Sequence, residues 1–252
     1  MYDLSVSQII TTAFRTSDIV GQSIVVLLVI VSVFSWSILG NKLWTIWQMH
    51  KSCDAFLKRF DSMHSPLATG FCLNELTGPL KNICQIGIKE VQEICELDDS
   101  KLEQTLRTAQ LPRKLTQAEL DKIRSFMNRE VNQQSLMMDE GLGCLSVAVT
   151  VSPFLGLFGT VWGVMSTFSN IASSGRIEIN LIAPGISGAL LTTVAGLCVA
   201  IPAVIANILI NSHINGINMK MDIFVDNFVT GLTLEEPYGH DKSGNANAVQ
   251  EA

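Results

Sequence analysis

Residues 19–41 read IVGQSIVVLLVIVSVFSWSILGN, from Ile19 to Asn41, without one Asp, Glu, Lys or Arg. A helix rises 1.5 Å per residue, so about 20 apolar residues cross a bilayer's hydrocarbon core, and this stretch is long enough. Two longer charge-free windows follow, 141–175 and 179–219. Across all 252 residues only 16% are charged and 48% are hydrophobic, where a soluble domain carries about 25% charge. The mean hydropathy is +0.34 and the pI is about 5.2. Together these exclude a soluble enzyme and a disordered chain, and the net charge of -6 excludes a nucleic-acid binder held by a basic surface. The expected fold class is all-α: a polytopic membrane protein with three transmembrane helices.

The first window does not read as a cleaved signal peptide. Only Arg15 precedes it, against Asp3 and Asp18, and its apolar core outruns a signal peptide's hydrophobic region. Upstream, Val6, Ile9, Ile10, Ala13 and Phe14 recur at helical spacing with polar residues between them, the pattern of a short interfacial helix within 1–18. A frayed tail is the alternative. Orientation follows from the basic residues, since 13 of the 17 lie between Lys42 and Arg129. By the positive-inside rule the 42–140 region is expected in the cytoplasm. The N-terminus and the 171–181 turn then face the periplasmic side, and the C-terminal tail is cytoplasmic. The predicted order is a span over 19–41, a cytoplasmic helical region over 42–140, spans over 141–170 and 182–211, a cytoplasmic helix over 212–234 and a disordered tail over 235–252.

The cytoplasmic region reads as helix that carries the membrane helices onward. Trp44 and Trp47 follow the first span, where indoles settle at headgroup level. Ser100 with Glu103 and Thr116 with Glu119 have capping-box spacing. Breaks are predicted at Ser65-Pro66, Gly78-Pro79 and Leu111-Pro112, and the helix from Gln117 is expected to lead through Glu140 into the second span.

The cysteines (Cys53, Cys72, Cys84, Cys95, Cys144, Cys198) and histidines (His50, His64, His213, His240) show no metal-ligand spacing, and no nucleophile elbow or phosphate loop is present. No cofactor is expected, and the thiols read as buried or unpaired. What the later spans do carry is a row of small and hydroxyl residues. Pro153, Gly156, Thr160, Gly163 and Thr167 share one helical face, and Gly159 with Gly163 forms a GxxxG pair. The third span repeats the pattern with Gly185, Ala189, Thr193, Gly196, Ala200 and Ala203. Such faces serve close helix packing, or they line a path. For Thr160 and Thr193 the path reading gains from a hydroxyl's ability both to donate and to accept without a desolvated charge. Pro202, inside the third span, predicts a kink.

Ser152 to Gly163 reads SPFLGLFGTVWG and Ala183 to Asn207 reads APGISGALLTTVAGLCVAIPAVIAN. Both resemble the signature spans of the MotA/TolQ/ExbB proton-channel family. The three-span order, the long loop after the first span and the SWSIL segment, Ser35 to Leu39, look most like its TolQ members, with ExbB next. The resemblance implies a bacterial inner-membrane ring, a homo-oligomer and in this family a pentamer, embedded in the lipid bilayer. It would enclose the single-span helices of a TolR/ExbD-like partner that supplies an intramembrane Asp. A TolA/TonB-like protein would receive the force, and no nucleic acid would be involved.

By the same resemblance Thr160 and Thr193 match the family's pore-facing threonines, and Pro153 matches the proline at the start of the second span. Gly156, Gly159, Gly163, Gly185, Gly188 and Gly196 fall on its packing and pore faces. Gly188 departs from the pattern, because TolQ and ExbB members usually carry glutamate there, ISEAL where this chain reads ISGAL. The implied function is a stator that converts proton-motive force into work on the cell envelope. A passive scaffold that kept the ring and lost coupling is the alternative.

Overall fold

The computed structural model describes residues 6–63, 65–71, 73, 77–175 and 178–235. Its regular elements are all helices: α1 (Val6–Thr16), α2 (Ile19–Ser62), α3 (Pro66–Phe71), α4 (Pro79–Ile94), α5 (Asp99–Thr108), α6 (Gln117–Asp139), α7 (Leu142–Ser174) and α8 (Ile179–Leu234). The disorder expected beyond Glu235, and Cys72, His64, His240 and Arg176, lie outside the described residues. Three helices are long and apolar enough to cross a membrane, Ile19–Ser62, Leu142–Ser174 and Ile182–Leu234. Their apolar windows are only 22%, 22% and 28% buried within the chain. Val29, Ile30, Phe34, Phe154, Phe158 and Ile201 are among the large side chains left exposed, a surface suited to lipid or to other protein and not to water.

The chain forms two compact units. One comprises residues up to Trp44 together with Asp139–Ser212. Within it α7 and α8 lie face to face, and α1 packs its C-terminal end on α8, where Thr16 Oγ1 stands 3.5 Å from the Pro184 carbonyl. Asp18 caps α2 by accepting the Gly21 N–H at 2.9 Å, so the chain turns between α1 and α2 without losing a buried donor. Pro184 and Pro202 sit inside α8, which stays one unbroken helix through both.

The other unit comprises Thr45–Met138 and the chain from His213 onward. Its core is built on α8, whose Ile214, Ile217, Met221, Phe224, Phe228 and Leu232 are all buried at helical spacing. Phe224 meets Phe56 and Phe60 of α2 edge-on, with ring centroids 5.2 and 5.0 Å apart. Helices α4, α6 and α8 converge at Gly87, where an added Cβ would stand 2.9 Å from both Met127 Sδ and Phe228 Cε1. Lys220 of α8 pairs with Asp54 of α2, and its Nζ lies 3.2 Å from His50 Nε2.

Local signals fixed several ends of these helices. Pro66 and Pro79 open α3 and α4, because a first-turn residue has no intrahelical use for its N–H. Thr116 and Glu119 form the expected capping box: the Glu119 carboxylate accepts the Thr116 N–H at 2.8 Å and the Thr116 hydroxyl accepts the Glu119 N–H at 3.4 Å. Arg113 donates to the same carboxylate at 2.6 Å. This donor, with the Thr116 N–H next, holds the Glu119 carboxyl down at about 2.

The box expected at Ser100 and Glu103 is absent. Helix α5 starts two residues earlier than that box requires, at Asp99 after an extended Asp98, so Ser100 falls inside the helix and Glu103 pairs instead with Arg107 at 2.8 Å. Nor does α6 run through Glu140: the chain turns there, with Gly141 at φ +81, a left-handed conformation that glycine adopts freely. At the far end of α8, burial pushes the Glu235 carboxyl up to about 7, while the Ser65 hydroxyl and the Leu67 N–H pull it partly back.

Candidate functional site

Glycines on both helices let α7 and α8 approach until backbone meets backbone. An ideal Cβ on Gly156 would stand 2.9 Å from the Thr192 carbonyl oxygen and 3.0 Å from Thr193 Cα. One on Gly196 would stand 2.7 Å from the Ser152 carbonyl oxygen, and one on Gly163 would stand 2.7 Å from Ala189 Cβ. Gly159 faces the side chain of Thr192, and Gly185 faces Thr167. The structure therefore brings Gly156, Gly159, Gly163, Gly185 and Gly196 into one seam. Gly188 lies elsewhere, against Ser17 and the Ala13 carbonyl where α1 ends, 3.1 Å from Ser17 Cα and 3.2 Å from that oxygen by the same measure. A side chain at 188 has no room while α1 holds this position.

Close approach places three hydroxyls around two helical carbonyls. Thr160 and Thr193 are hydrogen-bonded to each other across the seam. Thr193 Oγ1 also lies 3.0 Å from the Gly156 carbonyl, and Thr160 Oγ1 lies 3.2 Å from that of Ala189. Thr192, fully buried, donates to the Ala189 carbonyl at 2.6 Å and stands 3.2 Å from that of Gly156. Each hydroxyl has one proton and more than one acceptor in reach, so the group has alternative hydrogen-bond arrangements of the same heavy atoms. Either member of the Thr160–Thr193 pair can be the donor. Such a cluster can reverse its dipoles without moving a helix, and within helices α7 and α8 up to Met219 no described residue is charged.

Pro153 sits inside α7, about three turns past Leu142 and not at the helix start. Without an N–H it leaves the Val149 carbonyl short of its helical donor, yet α7 continues unbroken. Thr192 and Asp18 were not singled out from the sequence. Thr192 directly precedes Thr193, so a paired-threonine signal was there to be read. Asp18, directly before an apolar helix, had the signature of an N-cap. Its other oxygen, Oδ2, accepts Trp162 Nε1–H of α7 at 2.7 Å.

A sequence profile described as MotA/TolQ/ExbB proton channel family matches residues 93–223, which include every residue of the seam. The chain belongs to this family. Among its relatives, the Tol-Pal system protein TolQ of Haemophilus influenzae is 31% identical over 223 residues, 87% of this chain and 91% of the relative. The biopolymer transport protein ExbB of Salmonella typhimurium is 29% identical over 198 residues, covering 76% and 73% of the two chains. The Tol-Pal system protein TolQ of Pseudomonas aeruginosa is 30% identical over 200 residues, covering 75% and 78%. The family membership that the SPFLGLFGTVWG and APGISGALL stretches implied is thus established over most of the chain.

Proposed function

We propose that the chain is the channel-forming stator subunit of a Tol-Pal or TonB-type system in the bacterial inner membrane, converting proton-motive force into work on the cell envelope. The observation that carries this reading is the Thr160–Thr193 pair, two hydroxyls bonded across a seam that holds no charged residue. Moving one elementary charge through the membrane field yields about 2.3 kcal/mol per 100 mV. To harvest it, a proton needs a group that titrates within the membrane. The three charge-free windows hold no Asp, Glu, Lys or Arg, and their one histidine, His213, lies past the third span of 182–211; the hydroxyls supply the polar surroundings such a group needs.

The carboxylate then comes from a TolR/ExbD-like partner with a single span, held inside a homo-oligomeric ring of this chain, a pentamer by family resemblance. The exposed apolar faces of α2, α7 and α8 are the surfaces that ring neighbours and lipid would cover. The excess of Lys and Arg over 42–129 puts that region and the C-terminus in the cytoplasm and the N-terminus in the periplasm. A TolA/TonB-like protein would carry the force outward.

Proton uptake into liposomes holding the assembled complex under an imposed potential tests this. Wild type should conduct only with its partner, and Thr160→Val and Thr193→Val, which keep the shape and remove the hydroxyl, should each lower uptake at least tenfold. A complex that assembles and conducts no better than empty liposomes refutes the stator reading and leaves a passive scaffold.

A further inference from the structure

Where α1 joins α2, alongside the C-terminal end of α7 and the N-terminal end of α8, the membrane unit holds a cavity of about 320 Å³. At about 30 Å³ per water it has room for on the order of ten molecules. Its walls carry Ser17, Asp18, Ser166, Thr167, Asn170 and Ser174, and none of the residues lining it is basic. Ser17, Thr167 and Ser174 direct their hydroxyl protons to carbonyls of their own helices at 3.0, 2.7 and 3.1 Å, which turns oxygen lone pairs toward the cavity. Lone pairs and a carboxylate on a roomy wall bind water and cations.

Asp18 is the sole carboxylate of that wall, and it is fixed from two sides. The Gly21 N–H of α2 holds Oδ1 at 2.9 Å, and the Trp162 indole of α7 holds Oδ2 at 2.7 Å. Neither donor carries a full charge, so the carboxylate's field reaches the cavity without a counter-ion in contact. Low-dielectric walls focus the field of such a charge and raise the local cation concentration by about ten- to a thousandfold. Position 188 cannot supply this charge, because Ser17 occupies the space a side chain there would need.

We infer that this cavity is a hydrated entry vestibule for protons, carried as hydronium, and that Asp18 is the fixed negative charge that concentrates them. The inference rests on the proton-channel reading above. The proton stays in water at this stage, and no bond to Asp18 forms or breaks.

The test compares wild type, Asp18→Asn and Asp18→Glu, each assembled with the single-span partner in liposomes. Asn removes the charge and keeps one acceptor oxygen, enough for the Gly21 cap, while its NH2 leaves the Trp162 N–H without an acceptor; Glu keeps the charge and both acceptor oxygens. Proton uptake should fall about tenfold or more in Asp18→Asn and be largely retained in Asp18→Glu. Wild-type uptake should also weaken as salt rises from 10 mM to 1 M, while that of Asp18→Asn should not, because salt screens a fixed charge and leaves a structural cap alone. Equal uptake in all three proteins, or equal loss in both variants, overturns the vestibule and leaves Asp18 a helix cap.

Hydration is tested separately. With Cys144 and Cys198 replaced by serine, a Ser166→Cys thiol should react with a water-soluble maleimide added to the periplasmic side. A thiol that stays unreacted overturns the inference even if the channel conducts. A wild-type complex that conducts nothing while Ser166→Cys labels would instead strike at the proton-channel reading.

Discussion

Replacing Gly156 by alanine tests the α7–α8 seam most directly. The added methyl would stand 2.9 Å from the Thr192 carbonyl oxygen and 3.0 Å from Thr193 Cα, both backbone atoms that no rotamer change moves aside. Ordinary van der Waals contact begins at 3.4 Å, so the helices must part by about half an ångström. The hydroxyl contacts to the Gly156 carbonyl, now 3.0 Å from Thr193 and 3.2 Å from Thr192, would stretch past good hydrogen-bond length. Overpacking costs about 1–3 kcal/mol, and two weakened bonds in a membrane bundle add about 1 kcal/mol. Alanine's better helix propensity returns about 1 kcal/mol. The net is a loss of about 1–3 kcal/mol, measurable by equilibrium unfolding of the purified protein in mixed detergent micelles. Gly143, on the same helix, has nothing within 4 Å of an added Cβ, so Gly143→Ala should be neutral or slightly stabilising. If Gly156→Ala unfolds together with wild type and Gly143→Ala, the helices do not approach as closely as described, and the hydroxyl cluster built on that approach fails with them.

Two pH dependences follow from groups outside the membrane spans. The Glu119 carboxyl is held at about 2, below its ordinary 4.5, chiefly by Arg113. Its contribution to the start of α6 is therefore present above pH 4.5 and lost as pH falls toward 2. Protection factors at the first amides of α6, measured against the intrinsic exchange rate at each pH, should fall over that window, and Glu119→Gln should remove the change. Glu235 behaves in the opposite sense. Its carboxyl is raised from 4.5 to about 7 by burial, so folding is favoured below pH 4.5 and that stability is lost as pH rises through 7. Glu235→Gln should flatten the melting temperature across this range and raise it at neutral pH, and a melting curve that keeps its pH slope in the variant would disprove the assignment.

How much could be read in advance differed by the kind of signal. The three long helices were legible because a window such as 19–41 decides its own fate, since an uncharged apolar helix of that length has few other places to go. The breaks at Ser65-Pro66 and Gly78-Pro79 and the start at Thr116 were legible for the same local reason. Ser100 misled because two aspartates stand just before it: Asp98 takes the extended flanking position, and a spacing rule cannot rank competing caps. The turn at Glu140–Gly141 was missed because a glycine tolerates helix and left-handed turn alike, so the residue itself does not say which it adopts.

The site divides along the same line. Thr160 and Thr193 stood out by chemistry and family pattern, but that Thr192 is the fully buried member of the cluster depends on the rotation of α8 against α7, which periodicity along one helix does not give. Asp18 belongs to this second kind. In the sequence it is one charge flanking a span; in three dimensions it ties the start of α2 to Trp162, more than a hundred residues away along the chain. Gly188 is the converse case, conspicuous as a missing glutamate and ambiguous until its neighbours are known. With Ser17 and the Ala13 carbonyl packed against it, the glycine is what lets α1 close on α8. A glutamate at 188 would therefore have to displace the end of α1, and with it the capping aspartate one residue beyond Ser17. The absent carboxylate and the present one are thus coupled through a single packing contact, so Gly188→Glu and Asp18→Asn should not behave as independent changes.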